Sequence, residues 1–212
     1  MLSILDLTHL LTEDMPVYPG TPRPRFKDDF TLEKDGFREK KLELYGHIGT
    51  HIDAPAHILK EGKTLDQLPI TQYLGKAYVF DFANSEKEIK VNHLESLKAR
   101  FEEADFILVH TGWDKFWGKE DYFTGYPLFS VDAVKWLASF NLKGYGFDNI
   151  SADAPATTTM PIHKEILGQK AIIIENLTNL DQIKNQTVTF QCLPIKIAGA
   201  DGSPVRAIAI TD

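Results

Sequence analysis

Between Phe106 and Leu177 the chain reads F-I-L-V-H at Phe106–His110, S-V-D-A-V-K-W-L-A-S-F at Ser130–Phe140, Y-G-F-D at Tyr145–Asp148, P-I-H-K-E-I-L at Pro161–Leu167 and A-I-I-I-E at Ala171–Glu175. The first, third and fifth are short apolar runs bounded by polar residues, the pattern of buried strands. The second places Val134, Leu137 and Ala138 on one helical face behind the cap Ser130, and the fourth starts at Pro161 and stops at Gly168. Strand, helix and strand in alternation imply right-handed crossovers and a parallel region of sheet.

On the N-terminal side, Ser3 to Leu10 alternates loosely and reads as a first strand. Met15 to Pro24 holds four prolines and a glycine, which predicts an irregular loop laid across the fold, either a plain connection or, with Tyr18 set between prolines, a stiff wall for a ligand. Asp35-Gly36 between Phe26–Leu32 and Phe37–Tyr45 predicts a hairpin, its second strand leading into the segment Tyr45–His57. Lys76 to Phe82 reads as a strand, and Asn92 as the cap of a helix from His93 to Glu103. Thr111 to Phe129, rich in Trp and Tyr, predicts packing in the core or at an interface. Thr187–Ile197 and Val205–Thr211, joined by a turn through Ala200–Pro204, predict a terminal hairpin.

At 212 residues the chain fits one domain spanning 1–212 and can bury roughly 70% of its unfolded surface. Net charge is −7, and Lys and Arg are nowhere dense enough to follow a phosphate backbone, which argues against nucleic acid. The single Cys192 excludes an intrachain disulfide and a multi-thiolate zinc site, consistent with a cytoplasmic location. No basic leader and no run near ~20 apolar residues predicts neither export nor a membrane partner. The sequons at Asn149, Asn176 and Asn185 read as chance matches.

The chemistry concentrates in Y-G-H-I-G-T-H-I-D-A-P-A-H, Tyr45 to His57, which holds three of the seven histidines. Pro55 and the two glycines disfavour a helix. On extended backbone His47, His51, Asp53 and His57, all odd-numbered, share a face. Imidazoles and a carboxylate so close suggest a metal. Glu175, closing a buried strand, is costly there unless it is paired or bound to metal. Asp148, Ser151 and Asp153 follow a strand end, where they serve either as Asx-type turns or as supports for a metal ligand.

The motif H-x-G-T-H-x-D-A-P-x-H, matched here at every fixed position, resembles the signature of the putative cyclase family, which includes kynurenine formamidases and isatin hydrolases. The likeness extends to D-L-T-H-L-L-T-E-D-M-P-V-Y-P-G, F-D-N-I-S-A-D, I-I-E-N-L and L-P-I-K-I-A-G-A-D-G-S-P-V-R-A. The resemblance implies an α/β fold around a mixed, barrel-like sheet flanked by helices, of the swivelling β/β/α type. It implies two divalent metal ions held by His47, His51, Asp53, His163 and Glu175, with His57 as acid and base. Nitrogen and oxygen ligands favour zinc, with manganese as the alternative.

The implied activity is hydrolysis of a linear or cyclic amide in a small molecule by metal-activated water, in a homodimer or homotetramer. A metal-dependent lyase or isomerase, or a metal-binding module without catalysis, are the competing classes. Tyr18 stands where the formamidases carry a tryptophan. Its hydroxyl would want a partner, so a more polar or smaller amide than N-formylkynurenine is expected.

Overall fold

The computed structural model describes residues 2–83, 85–155 and 157–211. In chain order it contains β1 (Ser3–Asp6), β2 (Arg25–Phe30), α1 (Leu32–Asp35), β3 (Glu39–Glu43), β4 (His51–Asp53), β5 (Leu74–Asp81), β6 (Glu88–Ile89), α2 (Val91–Leu94) and α3 (Lys98–Glu102). There follow β7 (Phe106–His110), β8 (Leu128–Phe129), α4 (Val131–Leu137), β9 (Gly144–Phe147), α5 (Pro161–Gly168), β10 (Ile172–Glu175), β11 (Thr187–Pro194) and β12 (Gly202–Thr211).

Seven strands close into a barrel in the order β12-β11-β5-β7-β9-β10-β4, with β4 returning to β12. The expected parallel region is the run β5-β7-β9-β10, and the remaining ladders are antiparallel. One edge of β12 follows β11, while its other edge pairs with β4 at Gly202–Pro204 and with β1 at Ile208–Thr211. Closure leaves β1 as the strand outside the ring.

Side-chain alternation divides the core in two. Ile52, Val79, Phe106, Leu108, Ile172, Ile174, Phe190 and Ala207 fill the barrel. Ile107, Val109, Tyr145, Phe147 and Ile173 face outward beneath Phe101, Val134, Leu137, Ile166 and Leu167 from the helices. Burial on both faces explains why Phe106–His110 and Ile172–Glu175 read as continuous apolar runs: every residue of both is buried. Ser130 caps α4 as expected, accepting the Ala133 N–H at 3.1 Å. The aromatic segment packs as expected: Tyr122 and Tyr126 are buried with Ile150 at the centre of a cluster that Tyr18, Trp113, Phe116 and Trp117 surround.

Three expectations need correction. β2 and β3 do pair, but through the helical turn α1, which Gly36 ends, and as a separate ribbon whose second strand is exposed throughout. Their alternating charges, among them Lys27, Asp28, Asp29, Lys40 and Lys41, cannot be buried in the main sheet, so this ribbon does not hold the histidine segment. The helix over 93–103 is broken into α2, a 3-10 turn at Glu95–Leu97 and α3, and it begins at Val91. His93 Nδ1 accepts the Lys90 N–H at 3.0 Å, and this contact, rather than one from Asn92, ties down the start. The first strand ends at Asp6, where Arg206 reaches back to the carboxylate.

Candidate metal centre

The histidine segment is held by the barrel wall. β4 is wedged between β10 and β12. Because Ile52 points into the barrel, His51 and Asp53 must point out. On β10, Ile174 points in and Glu175 out, and Glu175 sits directly opposite His51 in the ladder. His163 arrives from the first turn of α5, the helix that crosses over this face.

The common face predicted from odd numbering therefore holds for His51 and Asp53. The outer two histidines join it by other means. His47 precedes Gly49, whose φ of +58° reverses the chain at a conformation costly for other residues. His57 follows Pro55 in a 3-10 turn.

Five side chains converge. His47 Nδ1 lies 2.6 Å from Asp53 Oδ1, and His51 Nε2 is 3.3 Å from Asp53 Oδ1 and 3.5 Å from Glu175 Oε2. On the other side, His163 Nε2 is 3.6 Å from Asp53 Oδ2 and 3.4 Å from Glu175 Oε1. Each carboxylate thus turns one oxygen to His51 and the other to His163. His47, Asp53 and His57 also bring donor atoms within 4.8 Å of one another, as do His51, Asp53 and Glu175.

Electrostatics follow from this crowding. Asp53 is fully enclosed, and burial alone would raise its pKa, yet the facing imidazoles hold it well below the carboxylate range. Burial likewise opposes a charge on His47 and on His163. The Asp53 and Asp201 carboxylates nonetheless push His47 up to about 9, and those of Asp153, Asp53 and Glu175 push His163 up to about 12. The pocket therefore attracts positive charge.

The donor set fits divalent ions. Asp53 Oδ2 is buried without a hydrogen-bond partner, which costs free energy in a protein interior unless something else satisfies it. Separations of 3.3 to 3.6 Å between His51, His163 and the two carboxylates are long for hydrogen bonds. They match the roughly 3.3 Å between two donors each bound at ~2.0–2.1 Å to one tetrahedral ion.

Supporting contacts surround the cluster. His51 Nδ1–H donates to the Gly49 carbonyl (2.8 Å), leaving Nε2 toward the carboxylates. Asp153 accepts the His163 Nδ1–H at 2.8 Å and the backbone N–H groups of Ile162 and His163 at 3.0 and 2.9 Å. Asp153 therefore orients the His163 ring. Asp148 makes no Asx-type turn: its carboxylate instead accepts the N–H groups of Thr111 and Gly112 just past the end of the neighbouring β7, and burial raises it to about 6. Ser151 accepts the Asp153 N–H.

Sequence reasoning missed two contributors. Asp201 lies in the turn before β12 and contacts both His47 and His57. Asn176, set aside as a chance sequon, is buried; its amide donates to the Gly49 carbonyl at 2.8 Å and its Oδ1 accepts the Tyr122 hydroxyl. Asn149 is also fully buried. For Asn176, position beside Glu175 was the available signal; for Asp201 none was local.

A cavity of ≈ 230 Å³ opens onto this cluster, and Val17, Tyr18, Tyr45, Ile48, Ile150 and Met160 contribute its walls. Among the described residues no Lys or Arg lines it. Tyr18 is in the wall as expected, but its hydroxyl donates to the Pro155 carbonyl at 3.2 Å. With its hydroxyl already partnered, Tyr18 gives no reason of its own to expect a more polar amide.

The comparisons agree with this architecture. A kynurenine formamidase of Bacillus thuringiensis is 29% identical over 96% of this chain and 95% of its own. An isatin hydrolase A from Labrenzia aggregata, solved with benzyl benzoate bound, superposes with a TM-score of 0.89 at 25% identity, over 99% of this chain and 94% of that one. A protein described as a predicted metal-dependent hydrolase from Bacillus stearothermophilus gives 0.82 at 26% identity, over 99% and 98%. Residues 5–154 match the family described as Putative cyclase, and with motif, barrel and cluster in agreement the chain belongs to that family.

Proposed function

We propose that this protein is a metal-dependent hydrolase of small-molecule amides, linear or cyclic, with two divalent ions, zinc in the first place and manganese as the alternative. The observation that carries the reading is the division of oxygens at Asp53 and Glu175, one of each toward His51 and one toward His163. Asp53 and Glu175, together with His47, His51 and His163, are the residues that would hold the pair of ions. When bound, the ions supply Lewis acidity, polarising the amide carbonyl and easing ionisation of water.

The chain's own residues do the rest. His57 lies at the cavity edge with Nδ1 toward Asp201, so Nε2 is the nitrogen that takes a proton from water and returns it to the leaving nitrogen. Tyr18, Val17, Ile48 and Ile150 form an apolar wall that holds the acyl or aryl part and excludes bulk water. A free carboxylate on the substrate finds no ammonium or guanidinium among the described lining residues. Neutral amides are therefore preferred, and N-formylkynurenine, an α-amino acid, is turned over poorly.

The buried free Cys192 supports a reducing, cytoplasmic setting, and no described helix is long and apolar enough to cross a membrane. Assembly as a homodimer or homotetramer accords with the exposed Phe30, Phe37 and Leu42 on the β2–β3 ribbon. The test of function is a panel of N-formyl aryl amines, isatin, cyclic imides and lactams assayed with zinc and with manganese. Turnover of a neutral amide well above that of N-formylkynurenine supports the reading. Metal uptake with no hydrolysis of any member contradicts it in favour of a binding module or a lyase.

A further inference from the structure

One oxygen of Asp201 touches two rings. Oδ2 lies 2.9 Å from His47 Nε2 and, at the long end of hydrogen bonding, 3.3 Å from His57 Nδ1, and the two imidazoles have centroids 3.9 Å apart with their planes tilted by 34°. The backbone beneath them is fixed. The Asp201 carbonyl accepts the Ala54 N–H at 2.8 Å, and Gly202 pairs with Asp53 in the ladder. A side chain on Gly202 would put its Cβ 2.4 Å from His47 Cε1, so the ring rests on bare backbone beside Asp201.

An ionised carboxylate can only accept hydrogen bonds. Both rings must therefore turn an N–H toward Asp201, His47 from Nε2 and His57 from Nδ1. The remaining nitrogens are His47 Nδ1, which shares a proton with Asp53 Oδ1 at 2.6 Å where a bound ion would replace that proton, and His57 Nε2, which keeps the lone pair of the neutral ring. Those are the nitrogens that a metal ligand and a general base need, each on its own side of the cluster.

We propose that Asp201 is a positioning residue that fixes the tautomers of His47 and His57 together, and so couples metal capture to proton transfer. The inference rests on the metal-hydrolase reading for its purpose, though not for its test. Partners of this kind typically contribute 10- to 100-fold in metal affinity or activity.

The experiment uses the full-length chain as parent, Asp201→Asn and Asp201→Glu. Long-range ¹H–¹⁵N correlation on metal-free, ¹⁵N-histidine-labelled protein, above the ordinary imidazole range of ~6.5, reports which His57 nitrogen holds the proton. The parent should show Nδ1–H. Asp201→Asn, nearly isosteric but able to donate as well as accept, should shift His57 toward Nε2–H, and Asp201→Glu should restore the parent form. Zinc affinity and turnover at saturating zinc should fall by roughly 10- to 100-fold in Asp201→Asn. An unchanged Nδ1–H signal in Asp201→Asn overturns the proposal, whatever the parent does with amides; failure of the parent to hydrolyse amides overturns the functional reading while the tautomer result still judges Asp201.

Discussion

His57 and Asp53 sit within one cluster, yet their substitution should have different consequences. His57→Ala should keep most of the bound metal while turnover falls by roughly 10² to 10⁴-fold, the usual contribution of a general acid-base group. Asp53→Ala removes a carboxylate facing both His51 and His163 and should lose metal itself. Equal metal loss in the two variants, read by elemental analysis, would make His57 a ligand. Tyr18 offers a second contrast, because its hydroxyl is already engaged by Pro155. Tyr18→Phe should leave kcat/KM for an aryl amide near the parent, whereas Tyr18→Ala should lower it by ~10- to 200-fold, the range of an apolar contact; equal losses would show that the hydroxyl itself is used. His9 is stacked flat on Trp117 at 3.9 Å, and burial pushes its pKa down to about 4 against an opposing Asp114. Its folded form resists the proton that the unfolded chain accepts below ~6.5, so stability is lost as pH falls from ~6.5 toward 4. Denaturation midpoints of the parent should drop more between pH 7 and 5 than those of His9→Phe, and parallel pH dependences would refute this.

The meeting of α5 with β4 and β10 decides how His163 reaches the cluster. Met160 precedes the helix at a φ of +45° and supplies no side-chain cap; Asp153 does so from the preceding loop and orients the His163 ring with the same carboxylate. Asp153→Ala should weaken zinc binding by roughly 10- to 100-fold and destabilise the fold by about 1 kcal/mol through the lost cap. Competition against a chromophoric chelator measures the first, and unchanged affinity would reduce Asp153 to a cap. Elements of this kind were legible where one periodicity ran uninterrupted: Phe106–His110, Ala171–Glu175 and the Ser130-capped helix read correctly because burial on both faces or one apolar stripe leaves few alternatives. The helix over 93–103 was not, since its apolar spacing survives a break into shorter turns. The ribbon β2–β3 was paired correctly, but its standing apart from the barrel was not legible, because alternation reports pairing and says nothing about which sheet a strand joins. In the motif, His51 and Asp53 followed the two-residue period across Ile52, while Asp201 depends on a β4–β12 pairing between segments distant in sequence.

At the scale of the whole molecule, barrel closure is what makes the centre. β4 is three residues long, too short to hold its place alone, and pairing on one side with β10 and on the other with β12 fixes His51 and Asp53 against Glu175 and the Asp201 turn. The alternation predicted a parallel run of sheet; the closed, mixed barrel came from the family resemblance, since closure is a long-range property no local pattern encodes. A site built across the closing seam also explains why its candidate ligands come from residues 47 to 175. The central claim, hydrolysis dependent on two ions in this seam, is tested most directly by titrating zinc into chelator-stripped protein and following bound metal and hydrolysis of a neutral amide in the same samples. The prediction is activity that is absent without metal and rises to a plateau as close to two equivalents per chain bind. Full hydrolysis by protein shown to contain no metal would contradict it.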